Sequence, residues 1–124
     1  MADNVIEGNQ NGAPVVNPEM ERITATILKS TIEAIPLLTM DNYSLWKDRV
    51  DNMLDLQNLN DSLTKNDGFL TSSQDTQLRA IIVAKLDSSV HINIINSENK
   101  KDARLIWKSI IKYFALAEGS NRAR

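Results

Sequence analysis

The stretch ARLIWKSIIKYF, residues 103–114, decides the fold class of this sequence. Its apolar residues recur every three or four positions, which places their side chains on one face of an α-helix. These positions are Ala103, Ile106, Trp107, Ile110, Ile111 and Phe114. We expect the helix to be capped by Ser97 or Asn99 and to end near Gly119. Together with the helices predicted upstream, this stretch indicates an all-α protein.

Three upstream segments have helical periodicity. They cover about residues 18–34, 42–57 and 73–87. The first starts at Asn17-Pro18, since Asn17 can cap a helix and Pro18 fits its first position, and Pro36 ends it. The expected caps of the other two are Asp41 or Asn42, and Ser72 or Ser73. The buried stripes predicted for these two helices are Trp46, Val50, Met53 and Leu54, and Leu78, Ile81, Ile82 and Leu86.

The remaining segments are harder to interpret. Residues 58–72 are polar and contain Gly68, so they predict a loop, with Phe69 and Leu70 tucked onto the core. Residues 88–96 fit either a strand or a short helix, and we favour the helix because a lone strand would have no partner. The sequence thus predicts a small bundle of about five helices with flexible ends. Its expected parts are a disordered tail at 1–17, a helical domain at 18–115 and a flexible end at 116–124.

Composition excludes several classes of protein. Apolar residues make up 42% and charged residues 24%, close to the globular average, so the chain as a whole is not disordered. It contains no cysteine, which excludes disulfides, thiolate zinc sites and a zinc knuckle. No stretch approaches the roughly 18 apolar residues that span a bilayer, and the N-terminus lacks the features of a secretory signal. We therefore expect a cytoplasmic protein without membrane contact.

The sequence offers little chemistry for catalysis. His91 has no second histidine or cysteine with which to share a metal, so a structural role is the better interpretation. The carboxylates at 48, 51 and 55 alternate with basic residues and fit a solvated helix face. Trp46 and Trp107 could stack on a ligand, but both fall in apolar stripes that favour core packing. We expect no enzyme activity, cofactor, metal or small-molecule substrate.

Charge is unevenly distributed along the chain. Residues 1–95 carry seven basic and thirteen acidic side chains, whereas residues 96–124 carry seven and three, so the overall charge is −2. The basic segment is either the exposed face of one helix or a weak contact to RNA or another acidic partner. The candidate contact residues are Lys100, Lys101, Arg104, Lys108 and Lys112.

Two segments carry a resemblance to a known family. The first, LLTMDNYSLWK at residues 37–47, resembles the L-x-G-x-N-Y-x-x-W opening of Gag proteins from copia-type LTR retrotransposons. Asn42, Tyr43 and Trp46 match in order and spacing, while Met40 or Asp41 replaces the family's glycine. The second, residues 97–114, is similar to the family's T-A-x-E-x-W-x-x-L-x-x-x-Y helix. Its matching residues are Ala103, Trp107, Ile110 and Phe114, with Phe114 (or Tyr113) in place of the tyrosine. Asn121-Arg122 resembles the family's following N-R, although residues 116–120 depart from the Ser-rich stretch that precedes it there.

The resemblance covers residues 36–122 and implies a capsid function. Family members resemble retroviral capsids, with N-terminal and C-terminal helical lobes, and assemble into virus-like particles around the element's RNA. This chain would then be an N-terminal lobe truncated from a longer Gag, with itself as partner and with element RNA bound mainly by regions outside it. The alternatives are a domesticated Gag-derived adaptor or assembly inhibitor, and an unrelated helical module that contacts nucleic acid through residues 100–112.

A capsid lobe implies intersubunit surfaces on the first two helices. On the second helix the candidate assembly residues are Lys47, Arg49, Asp51 and Asp55. On the first helix, Met20, Ile23 and Ile27 could belong to the core or to an interface. We favour the core, because a short chain needs that apolar area.

Overall fold

The computed structural model describes residues 17–122, and their side chains as far as residue 117. Within that range the chain forms six helices and no strand, which confirms the prediction of a small all-α bundle. The helices are α1 Pro18–Glu33, α2 Tyr43–Leu56, α3 Asn60–Thr64, α4 Ser72–Ala84, α5 Ser88–Ile94 and α6 Ala103–Arg122. The tail predicted at 1–17 lies outside the described residues except for Asn17.

The chain divides into two units, Met1–Ser30 and Thr31–Arg124. The division falls inside α1, whereas the sequence placed a boundary before residue 18. In the first unit, the Asn17 side-chain oxygen accepts hydrogen bonds from the backbone N–H groups of Glu19 (2.8 Å) and Met20 (3.4 Å). The predicted cap is therefore confirmed, and it satisfies two N–H groups that a helix start leaves without a partner.

No residue of α1 is buried. Met20, Ile23 and Ile27 are 58%, 49% and 48% exposed. The core assignment that we favoured for these three residues is therefore wrong. Their helical spacing was identified correctly, but spacing alone does not reveal what an apolar stripe faces.

The second unit contains the core. The stripes predicted for α2 and α6 supply about half of it, because their apolar side chains recur at helical spacing and face inward. The largest fully buried side chains are Trp46, Ile35, Leu38, Met53, Leu54, Leu63, Leu78, Ile82, Ile106 and Ile110. Two predicted stripe residues, Ile81 and Ile111, are only partly buried.

The predicted loop at 58–72 is wrong in part, because it contains α3. Asn58, at a φ of 57°, ends α2 in a left-handed conformation that asparagine tolerates better than most residues. Leu59 and Leu63 then turn inward and are 8% and 1% exposed. Phe69, which we expected to cover the core, is 75% exposed, so that prediction is also wrong.

Two helices have caps other than those predicted. Thr71, rather than Ser72 or Ser73, begins α4 with a capping box, in which its hydroxyl accepts from Gln74 N–H and the Gln74 side chain accepts from Thr71 N–H. Asp102, rather than Ser97 or Asn99, begins α6 and accepts from Leu105 N–H at 3.0 Å.

Asn99 has a different role from the predicted cap. It is 4% exposed, and its side-chain amide donates to the carbonyl of Ile94 (2.8 Å) and the hydroxyl of Ser109 (3.0 Å). The predicted end of α6 is also wrong, since the helix passes residue 115 and Gly119 and runs to Arg122. Residues 123 and 124 lie outside the described residues.

The ambiguous segment at 88–96 forms α5, which confirms the helical interpretation. Asp87 caps it by accepting a hydrogen bond from the backbone N–H of Ser89 at 3.0 Å. Val90 and Ile94 face the core. The described residues contain one isolated β-bridge, between Leu38 and Leu86, and it ties the segment after α1 to the end of α4.

Candidate functional site

The two segments that carry the family resemblance pack against each other in the second unit. Trp46 of α2 and Trp107 of α6 are stacked, with ring centroids 6.0 Å apart and an angle of 25° between planes. Tyr43 and Phe114 stack more closely, at 4.5 Å and 3°. The tryptophans are 0% and 4% exposed. Core packing is therefore confirmed for both, and neither presents its ring to a ligand.

The carbonyl of Lys85 helps to fix the segment before α2 to the end of α4, beside the hydrogen bond from Asp87 N–H to the carbonyl of Leu38. The carbonyl of Lys85 accepts hydrogen bonds from Leu38 N–H (2.7 Å) and from the indole N–H of Trp46 (3.1 Å). A carbonyl oxygen has two lone pairs, so both bonds can form at once. Trp46 is thus held both by ring stacking and by a hydrogen bond.

Asn42 shapes the turn that precedes Trp46. It occupies the predicted N-cap position of α2, but its side chain makes no capping hydrogen bond. Instead, its oxygen accepts from Thr39 N–H (2.8 Å) and its amide donates to the carbonyl of Leu37 (2.9 Å). The remaining motif residues, Ala103 and Ile110, are both 0% exposed. All seven motif residues therefore serve the core or the turn that leads into it.

The candidate assembly residues on α2 all have partners within the same chain. Lys47 and Asp51 form an ion pair at 3.2 Å, one helical turn apart. Arg49 donates to the carbonyl of Ala34 at 3.0 Å. Asp55 accepts from the side-chain amide of Asn60 at 2.9 Å. These contacts support the local fold, so a role for the four residues in assembly stays a prediction.

The candidate RNA-contact residues do not form one surface. Lys100 and Lys101 lie in the turn before α6 and are exposed. Arg104 points inward, since its guanidinium donates to the carbonyls of Leu63, Lys65, Asn66 and Gly68. It holds the end of α3 and the turn that follows. This set of bonds occupies the fork of donors that an arginine would otherwise offer to phosphate, so we remove Arg104 from the candidate contact.

Lys108 and Lys112 line a groove between α2, α3 and α6. The groove has a volume of about 480 Å³, and we call it the basic groove. Lys47, Asp51, Asn66 and Trp107 also contribute to its walls. The sequence did not indicate that Lys47 would lie beside Lys108 and Lys112. The two elements are about sixty residues apart in sequence, and two ring stacks, Trp46 on Trp107 and Tyr43 on Phe114, join them in the fold.

A second groove, of about 500 Å³, lies beside the Tyr43–Phe114 stack. Met40 and Leu45 line it and are 50% and 47% exposed. Sequence reasoning missed both residues, because each falls outside the apolar stripe of α2. Single exposed apolar residues are common on protein surfaces, so the exposure of Met40 and Leu45 does not by itself indicate a binding site.

Polar chemistry elsewhere is sparse. Within residues 17–122 no three His, Cys, Asp or Glu side chains converge as metal ligands. Hydrogen bonds from the side chain and the backbone of Ser89 hold the pKa of Asp87 below its usual value of 3.8. Asp87 is the cap of α5, so this lowered pKa reflects capping.

His91 lies on the same helix, where its backbone N–H donates a hydrogen bond to the carbonyl of Asp87 at 2.8 Å.

No helix in the described part of the chain is long and apolar enough to cross a membrane. No family model matches the sequence, and no curated protein or solved structure matches it. Functional inference therefore rests on the residues and their geometry.

Proposed function

We propose that this chain is the N-terminal capsid lobe of a copia-type Gag protein, a structural and non-enzymatic protein that acts through contacts between its own copies. The family resemblance of residues 36–122 suggests the function. The packing of the two resembling segments supports it, because Trp46 and Trp107 form one stacked pair although they lie far apart in sequence. The stacked pair thus gives one structural role, core packing, to the tryptophans of both motifs.

The exposed apolar side chains of α1 carry the proposal. Met20 and Ile23 are 58% and 49% exposed, and the polar residues Glu19 and Arg22 lie next to them. Apolar side chains grouped on one face and rimmed by polar ones mark interaction surfaces. Covering the exposed half of each would contribute roughly 1 kcal/mol per side chain. Such a contact is weak by itself.

Weak contacts suit a capsid. A lattice multiplies each contact, so that assembly is strong although a single pair of subunits barely associates. Contacts of this size predict a monomer at low concentration and oligomers at high concentration. This behaviour separates a capsid lobe from a helical module that binds one foreign partner.

The test is light scattering on this chain from micromolar to millimolar concentration, with two variants. Ile23→Asp places a charge in the exposed apolar face, and Ala25→Asp places the same charge on the opposite side of α1. We expect the average mass of the unaltered chain and of Ala25→Asp to rise with concentration, and that of Ile23→Asp to stay at 13.9 kDa. Both substitutions are at exposed positions, and alanine has the higher helix propensity, so the control is the more demanding change.

Two outcomes contradict the proposal. If the average mass of the unaltered chain stays at 13.9 kDa throughout the series, the hypothesis of self-assembly through α1 is contradicted and the adaptor alternative is favoured. Equal loss of association in both variants would show that α1 matters only through its helix stability or net charge.

A further inference from the structure

The basic groove concentrates positive charge in a small volume. Three lysines and one aspartate line it, Lys47, Lys108, Lys112 and Asp51, which gives a local charge of +2. Lys108 and Lys112 are exposed, lie one turn apart on α6 and form no ion pair with any described residue. Like charges at this spacing destabilise a helix slightly. An anion bound between Lys108 and Lys112 would attract both ammonium groups and so offset their mutual repulsion.

One wall of the groove is kept in place by hydrogen bonds from Arg104. Asn66 contributes to it from the turn after α3, and Arg104 fixes that turn by donating to the carbonyls on either side of it. Gly68 closes the turn, since a Cβ atom there would come within 2.4 Å of the carbonyl oxygen of Asp61. The groove is therefore kept in shape by contacts that do not involve its lysines.

We infer that the basic groove binds a compact anion bearing several phosphate groups. Lysine ammonium groups bind phosphate as point charges, and Asn66 adds a neutral hydrogen-bonding side chain at the same place. The volume of about 480 Å³ lies in the range of small-molecule sites. The third ammonium, that of Lys47, is held by its ion pair with Asp51, and both residues line the groove.

The same geometry selects a small anion over single-stranded RNA. Proteins that bind single strands stack the bases on exposed aromatic rings. Trp107 is the aromatic residue of the groove, and it is 4% exposed with its ring stacked on Trp46. No ring is thus offered to a base. This inference does not depend on the proposed capsid function, since the groove lies between α2, α3 and α6.

The test is a titration of the chain with inorganic tripolyphosphate, followed by the NMR shifts of backbone amides at constant ionic strength. We expect saturable shifts that are largest around Asn66, Lys108 and Lys112. Lys108→Gln with Lys112→Gln should weaken binding roughly 25-fold, on the basis of about fivefold per unit charge at contact distance in water. The matched control is Lys100→Gln with Lys101→Gln, which removes the same charge from exposed lysines that do not line the groove and should change the affinity less than about twofold under physiological screening.

Three results would overturn the inference. The first is an absence of saturable shifts with tripolyphosphate. The second is an equal loss of affinity in the two double variants, which would mean a diffuse charge effect. The third is a short RNA oligonucleotide, lacking terminal phosphates, that binds at the groove more tightly than tripolyphosphate does.

Discussion

Replacing Trp46 with phenylalanine separates its hydrogen bond from its packing. The smaller ring leaves a cavity that costs on the order of 1–2 kcal/mol, and loss of the indole N–H removes the 3.1 Å bond to the carbonyl of Lys85. A net hydrogen bond contributes about 1 kcal/mol. We therefore expect Trp46→Phe to lower the free energy of unfolding by about 2–3 kcal/mol.

Trp107→Phe is the matched control, because it removes the same atoms from the other ring of the same stacked pair. No hydrogen bond from the Trp107 indole is present among the described residues, and this ring is likewise buried, at 4% exposure. We expect the control to lower the free energy of unfolding by about 1–2 kcal/mol, the cavity cost alone.

Urea denaturation followed by circular dichroism at 222 nm measures both variants. A separate cycle of Trp46→Leu, Trp107→Leu and the double leucine variant removes both aromatic rings, so the direct coupling of the rings should appear there as about 0.5–1.5 kcal/mol. If Trp46→Phe costs no more than Trp107→Phe, the hydrogen bond to Lys85 does not stabilise the fold. A coupling near zero would refute the claim that the two motif segments stabilise each other.

Three further predictions concern single residues. Gly68→Ala should destabilise the second unit by about 1–3 kcal/mol in urea denaturation, because its Cβ would lie 2.4 Å from the carbonyl oxygen of Asp61; unchanged stability would contradict the close approach. Thr71→Ala should cost about 1 kcal/mol by loss of the α4 capping box, and Thr71→Ser should cost far less. The Asp87 carboxyl has a folded pKa below 3.8, so its stabilising effect is complete above the unfolded pKa and is lost as pH falls through the folded pKa. Ser89→Ala should reduce the acid dependence of stability between about pH 4 and the lower pKa, because it removes the hydrogen bond that the Ser89 hydroxyl donates to the Asp87 carboxylate. An unchanged pH profile would contradict a stabilising role for that hydrogen bond.

The long amphipathic helices could be predicted from the sequence because each has a regular apolar period. Trp46 and Val50 in α2, and Ile106 and Ile110 in α6, were placed correctly on buried faces. The short helix α5 was also predicted, since a lone strand would have had no partner. In these elements the local pattern and the tertiary structure agree.

The elements that were missed depend on contacts between distant residues. The five residues of α3 have no complete apolar period, and the helix ends where Arg104 binds its carbonyls. The start of α6 is set partly by Asp75, whose side chain accepts a hydrogen bond from Ala103 N–H at 2.7 Å. Sequence spacing carries no information about such pairings.

The candidate surfaces show the same limit. Arg104 belongs to a run of basic residues in the sequence, but the structure directs its guanidinium into the α3 turn. Lys47 was assigned to an assembly surface, which stays a prediction, and the sequence did not indicate that it would lie beside two lysines of α6. Met20 and Ile23 were assigned to the core and are exposed. Charge and hydrophobicity could be predicted from the sequence, but the direction in which each side chain faces required the fold.

Photo-crosslinking from α1 tests the central claim, that its apolar face contacts a second copy of the chain. Because the sequence has no cysteine, Met20→Cys and Ala25→Cys each give a single attachment point for a benzophenone maleimide. We predict that irradiation of the Met20→Cys protein yields a covalent species of twice 13.9 kDa that increases with concentration, while Ala25→Cys yields little. Equal yields from the two positions, or no covalent dimer at millimolar concentration, would contradict the proposed assembly through α1.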